Sequence, residues 1–440
     1  MLYDYRGEPI KTSDLKIDRG GPTMTGIRSP YRDSQATGLN PRRLASLLKR
    51  ADDGDTDAYF TLAQEIEERY PHYDAVMRAR KQAVSGAELH VNAFSDKRRD
   101  QKIADAVREL VKKPQFETLV FDLLDGLGKG ISFVEIGWDT SSGQWTPATY
   151  SWREQRHFDW DRETLSVPLL RTDEHPNGEP LQPYKWAVHA PQLRSGPARR
   201  GGLARSAVTM WMLQSYTLRD LMAFLEQYGM PIRVGSYEDL ATEEQKDTLK
   251  TAIANLGTDA GCIIPKSMLI TLIERKGGSG GNDAFLPVAR YFNGECSKLV
   301  LGQTMTTENG SSQSQAEVHE RKELTLTRAD GRAVCATIVR DVITPFVRLN
   351  FGPDADVPDL AYVIWSPAEQ DAFMSRVEKF VKLGGEVEQS VVRDRLGLPD
   401  PPRPKEGEEP VKLLSRAPVA PVAAPKPSEP EPDEKPDGDA

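Results

Sequence analysis

The chain of 440 residues is long enough for two or three domains and a sizeable core. Its 57 Lys and Arg against 66 Asp and Glu leave a net charge of −9, the wrong sign for a protein that grips DNA by its phosphates. Three cysteines, Cys262, Cys296 and Cys335, stand far apart without paired spacing, which argues against a disulfide frame or a zinc knuckle and for a reducing compartment.

At the N-terminus no apolar stretch is long enough for a signal peptide, and nowhere do 18 uncharged apolar residues follow one another, so a soluble protein without a membrane span is expected. Residues 1–40 are polar, with scattered Gly and Pro and no period, and read as an extended arm, with folded structure starting near Pro41. Leu44, Leu47 and Leu48, then Phe60, Leu62 and Ile66, mark helical faces. Ile103, Val107, Leu110 and Val111, followed by Phe116, Leu119, Val120, Leu123, Leu124 and Leu127, mark two packed helices. From Gly130 to His189 the pattern shortens to β-type runs, a β-rich insert over 130–190. Trp138, Trp145, Trp152, Trp160 and Trp186 stand there beside Arg153, Arg156 and Arg162, a mixture that also stacks single-stranded bases; on short antiparallel strands such tryptophans more often fill a thin core. The basic turn Arg194–Gly202 reads as a solvated loop.

A helix over Leu203–Tyr228, carrying Trp211, Tyr216, Leu218, Leu221, Met222 and Leu225, requires a partner surface and ends at Gly229 and Pro231. Thr242 followed by Glu243, Glu244 and Gln245 forms a capping box for a short helix whose stripe, Leu249, Ala252, Ile253 and Leu256, closes at Gly257. Cys262–Arg275 is apolar and β-rich, and Gly277–Asp283 is a Gly-rich tip. Phe292, Cys296, Leu299 and Val300 then draw one stripe on a helix stopping near Gly302. Gln303–Gln315 is almost all Thr, Ser, Gln, Asn and Gly, with one acid. Beyond it a long helix carries Val318, Leu326, Ala329, Val334, Ile338 and Val342 and is expected to break at Pro345. Residues 401–440 hold 11 prolines, too many for a packed core, so a disordered tail is expected, with an apolar island at Val411–Ala424 as a docking candidate.

Motifs for catalysis are weak. GLGKGIS at Gly126–Ser132 lacks the GKS or GKT of a phosphate loop and has Leu123 where the first glycine belongs. HERKE at His319–Glu323 lacks the second histidine of a metalloprotease helix, and His72, His90, His157, His175, His189 and His319 are dispersed. No catalytic, cofactor or metal site is expected.

Five stretches together resemble the phage portal protein family, in particular the portals of Mu-like transposable phages and prophages. They are LRDLMAFLEQYGMPIRVGSY at Leu218–Tyr237, LGQTMTTENG at Leu301–Gly310, AEVHE at Ala316–Glu320, ITPFVRLNFG at Ile343–Gly352 and KLGGEVEQSVVRDRLGLPDPPRP at Lys382–Pro404. The likeness extends from roughly Leu44 to Pro404. It implies a mainly helical α+β subunit with an N-terminal arm at 1–40, a wing at 41–241, stem helices at 242–257 and 284–302 around a clip at 258–283, and a channel loop at 303–315. A long wing helix with a following strand would occupy 316–365, crown-like helices 366–404 and a Pro-rich acidic tail 405–440.

The resemblance further implies a ring of about twelve copies at one capsid vertex of the virion, assembled in the host cytoplasm, through which double-stranded DNA is packaged and ejected. Partners would be the large terminase subunit, the major capsid protein or scaffold, a head-tail adaptor and the DNA itself, with no membrane and no cofactor. On the loop, Thr304, Thr306, Thr307, Asn309, Ser311 and Ser312 would line the channel, where short polar side chains exchange hydrogen bonds with water and phosphate without the charge-assisted grip of Arg or Lys. On the clip, Ile263, Ile264, Lys266, Met268 and Ile270 would face terminase or adaptor. The alternatives are another head-tail structural protein, such as a minor head or adaptor protein, and, further off, a cytosolic DNA-processing enzyme.

Overall fold

The structure is a computed structural model that describes residues 9–228, 232–237, 240–255, 269–273, 280–303, 313–387 and 392–393. Two units divide the chain, Met1–Ser366 and Pro367–Ala440.

The first unit opens with a helical layer of α1 (Pro41–Asp52), α2 (Asp57–Arg69) and α3 (Pro71–Ser85). Asn40 caps α1 by accepting the Arg43 amide at 2.9 Å, and Pro41 takes the first helical position, where its missing N–H costs nothing. Pro71 opens α3 in the same way. After β1 (Glu88–Asn92) come α4 (Arg98–Val111), α5 (Pro114–Leu123) and the single turn α6 (Gly126–Lys129).

The β-rich insert follows: β2 (Ser132–Asp139), β3 (Thr146–Arg153), β4 (Phe158–Trp160), β5 (Pro168–Leu170), β6 (Glu179–Pro180) and β7 (Trp186–His189). They form two antiparallel sheets, ordered β3-β2-β7 and β4-β5-β6. Phe133, stacked on Phe158 with ring centroids 3.7 Å apart, packs with Trp160, Leu170 and Trp186 into a core of its own. The arginines beside these tryptophans are consumed by carboxylates: Arg153 on Glu135 and Asp18, Arg156 on Glu154, Arg162 on Asp159. Burial thus selects the core-filling reading of this Trp/Arg mixture over base stacking.

Next come α7 (Ala204–Tyr228), β8 (Ile232–Ser236), α8 (Glu243–Asn255), β9 (Leu269–Ile273), α9 (Gly280–Leu301) and α10 (Gln313–Ile338). The expected capping box starts α8: the Thr242 amide donates to Gln245 Oε1 and the Gln245 amide to Thr242 Oγ1. β8 and β9 pair antiparallel from Ile232–Ile273 to Ser236–Leu269, and α8 packs on them at Gly235, where a Cβ would sit 2.5 Å from Ile253. Helix α8 and the β8–β9 pair are therefore packed together as one small unit. A π-helical turn, Val339–Ile343, leads into α11 (Thr344–Phe351), and β10 (Asp359–Val363) returns to pair antiparallel with β1. The second unit contributes α12 (Pro367–Lys382).

Three expectations change. Residues 9–40 have little regular structure but are packed down: Leu15 is fully buried, the Glu135 carboxylate accepts the Arg19 and Gly20 amides, and Glu65 accepts those of Gln35 and Ala36. Folded structure thus starts well before Pro41, because backbone N–H groups with no period of their own are satisfied by buried carboxylates of the body. The turn Arg194–Gly202 is solvated only in part: Arg194–Gly196 and Arg200 are exposed, while Arg199 is buried and donates to the Leu165 and Asp52 carbonyls. Finally, the chain does not break at Pro345. The π-helical turn ahead of it widens the helix where the proline ring would strike the preceding turn, and α11 continues to Phe351. Among the described residues no helix is long and apolar enough to cross a membrane.

Candidate functional site

The six loop residues Thr304, Thr306, Thr307, Asn309, Ser311 and Ser312 lie outside the described residues, as do Ile263, Ile264, Lys266 and Met268. Ile270 lies on β9, opposite Gly235 of β8. What the structure places is the footing from which the 303–315 segment springs: the C-terminal end of α9 and the body of α10.

One arginine ties both helices to the layer beneath. Arg80 of α3 donates through Nε and Nη2 to the two carboxylate oxygens of Asp330 on α10, at 2.7 and 3.0 Å, and through Nη1 to the Val300 carbonyl at the end of α9, at 2.6 Å. Arginine and aspartate are both buried. A planar guanidinium gripping a carboxylate with two parallel bonds fixes orientation as well as distance, so the last turn of α9 and the middle of α10 are held in one register. Both residues interrupt apolar stripes: Arg80 falls between Val76 and Val84, Asp330 between Leu326 and Val334, each at intervals of four. That was the available signal, a charge in the middle of a helix's buried face.

More contacts dock α9 along its length. Tyr70 Oη donates to the Phe292 carbonyl, His72 Nε2 lies 2.7 Å from Ser297 Oγ, and the Gln214 amide of α7 donates to Asn293 Oδ1 and the Ala289 carbonyl. Cys296 is buried in the same seam, and burial pushes its thiol up to about 11; Cys335 is pushed up to about 12 for the same reason. Both stay protonated and inert at neutral pH. Between α9 and α10, Leu301, Gly302, Arg321, Lys322, Thr325 and Leu326 line a cleft of about 400 Å³.

The GLGKG segment has a different task from phosphate binding. Lys129 is buried, with Nζ 2.8 Å from Asp125 and 3.4 Å from Glu67, and Lys81, Gln155 and Trp152 complete the shell around Asp125. Burial alone would lower the Lys129 ammonium, but the two carboxylates outweigh it and hold the lysine above its ordinary value; burial likewise acts upward on Asp125, and Lys129 and Lys81 reverse it, holding the carboxyl well below the usual range. A lysine so engaged has no proton donor left for a phosphate. Its glycines serve packing instead: Gly130 takes φ +94°, and a Cβ on Gly202 would strike the Gly128 carbonyl, so the 126–130 turn and the chain before α7 touch backbone to backbone.

Residues 60–398 match the model of a family described as the portal protein of Mu bacteriophage. The chain belongs to the Mu portal family. It is thus a portal protein of the Mu-like kind, and the likeness read from LGQTMTTENG and its companions is confirmed. Curated relatives of this Mu-family portal include the "Mu-like prophage FluMu protein gp29" of Haemophilus influenzae, 28% identical over 412 residues, covering 90% of this chain and 78% of that one. The "Portal protein" of Escherichia phage Mu is 29% identical over 406 residues, covering 91% and 78%. Among solved structures, the neck of an empty gene transfer agent particle aligns with a TM-score of 0.49 at 12% identity, over 82% of this chain and 95% of that one. An HK97 family phage portal protein from Corynebacterium diphtheriae aligns with a TM-score of 0.37 at 11% identity, over 70% and 94%.

Proposed function

We propose that this portal chain closes into a ring of about twelve copies at one capsid vertex, and that double-stranded DNA enters through the ring during packaging and leaves through it during ejection. The observation that carries this reading is the family match across residues 60–398. Large terminase, major capsid protein or scaffold, and a head-tail adaptor dock around it, and nucleotide hydrolysis belongs to the terminase. In this reading residues 242–257 and 284–302 build the stem and 258–283 the clip, Ile263, Ile264, Lys266, Met268 and Ile270 face the docking partners, and Thr304, Thr306, Thr307, Asn309, Ser311 and Ser312 line the lumen.

Physical chemistry supports that assignment of the loop. Duplex DNA carries about one negative charge per 1.7 Å, so a lumen of Lys and Arg would bind at every phosphate, whereas hydroxyls and amides make contacts that exchange with water as DNA slides. A loop that bears a moving load also needs a rigid base, and Arg80 supplies one by tying the Val300 carbonyl, just ahead of the loop, to Asp330 in the middle of the helix that follows it. The test is DNA packaging in vitro with Thr306→Lys/Thr307→Lys rings: assembly should persist while packaging slows or stalls, and packaging at the unaltered rate would remove the loop from the lumen.

A further inference from the structure

The layer formed by α7 and α9 satisfies itself only on its inner side. There Leu221 is buried, Phe224 meets Phe285 with ring centroids 5.9 Å apart, and Gln214 reaches Asn293. Outside, α7 shows Leu218, Met222 and Leu225 at i, i+4 and i+7, and α9 shows Val288 and Tyr291, all exposed, with Met222 and Tyr291 each 61% open. Each stripe is flanked by one charge with no side-chain partner among the described residues: Glu226 beside Met222 and Leu225, Arg290 beside Tyr291. The neighbouring Arg219 and Asp220 pair with each other.

We infer that the α7 stripe of one copy packs on the α9 stripe of the next, with Glu226 meeting Arg290 across the contact. This rests on the ring reading and names the surface that closes it. Two features select a second copy, arranged head to tail, as the occupant. The two stripes lie on different helices of one packed pair, so a head-to-tail contact covers both in every copy. The flanking charges are opposite, so α7 on α9 neutralises them, whereas α7 on α7 or α9 on α9 would bring Glu226 against Glu226 or Arg290 against Arg290; a two-fold arrangement of the same contact stops at two copies, and the ring reading requires it to run head to tail.

The test uses the full chain in sedimentation velocity and mass photometry across a concentration series. Glu226→Arg and Arg290→Glu alone should each raise the concentration needed for assembly by about ten-fold or more, because like charges then face each other. Mixed one to one, the two variants should assemble as the unaltered chain does, since alternating copies restore every pair. A second variant, Met222→Cys/Tyr291→Cys, should on oxidation give covalent ladders beyond the dimer, while each single cysteine gives dimers at most. Rings that form normally in both charge variants, or that give no ladder, overturn the contact and leave the ring reading standing. An unaltered chain that stays monomeric throughout removes the ring reading and this contact together.

Discussion

At the scale of single residues, the decisive interactions are charges placed where apolar side chains would be expected. Removing one partner of a buried ion pair leaves the other charge stranded, at a cost of about 3–5 kcal/mol, so Asp330→Ala should lower the melting temperature more than removal of any exposed pair such as Lys112–Glu109. Calorimetry on the two variants side by side checks this; equal melting temperatures would deny Arg80 its clamping role. A pH dependence follows from His189, whose imidazole is buried against Thr337 and lowered to about 4 by burial, with Arg340 adding to it. The unfolded chain takes up that proton near the ordinary 6.5, so between about 6.5 and 4 it binds more protons than the native state, and stability falls as pH falls through this window. His157, lowered to about 4 by burial and Arg156, and His72, lowered by burial, act in the same sense; Asp122, raised to about 6 by burial and Asp125, and Glu67, raised by burial, act oppositely. Three imidazoles outweigh two carboxyls. Melting temperature should therefore drop on acidification from pH 7 to 5, and His189→Gln should flatten the drop by about one proton's worth of slope.

At the scale of elements, local rules carried far and long-range pairing did not. The capping box at Thr242, the stripe of Cys296 and Val300 and the β-runs of the insert were legible because neighbours in sequence decide them. The partnership of β1 with β10, where Leu89 lies opposite Tyr362, was not, since a five-residue strand carries no record of its partner. The pairing of Arg80 with Asp330, 250 positions apart, was missed for a related reason: each breaks an apolar stripe, but a charged residue read alone is assigned to the surface, and only its distant partner shows what it meets. The continuation past Pro345 depended on a π-helical turn that no residue type announces. Gly235 offers an element-level test. Gly235→Val would drive a side chain into Ile253 and Leu249, so α8 should separate from the β8–β9 pair, and proteolysis near α8 should accelerate while the rest of the chain stays resistant.

At the scale of the whole molecule, the net charge of −9 disfavours a tight grip on DNA phosphates, which agrees with the proposed passage of DNA through a ring. Closure is the property on which the rest depends. An open chain of copies would give filaments, and a self-complementary patch would stop at dimers; only a head-to-tail contact with the right rotation closes on itself. The direct measurement is negative-stain electron microscopy of the purified chain, with native mass spectrometry counting its copies. Rings of about twelve with a central hole are the expected result. A chain that remains monomeric or dimeric at high concentration and is missing from finished virions would contradict the account.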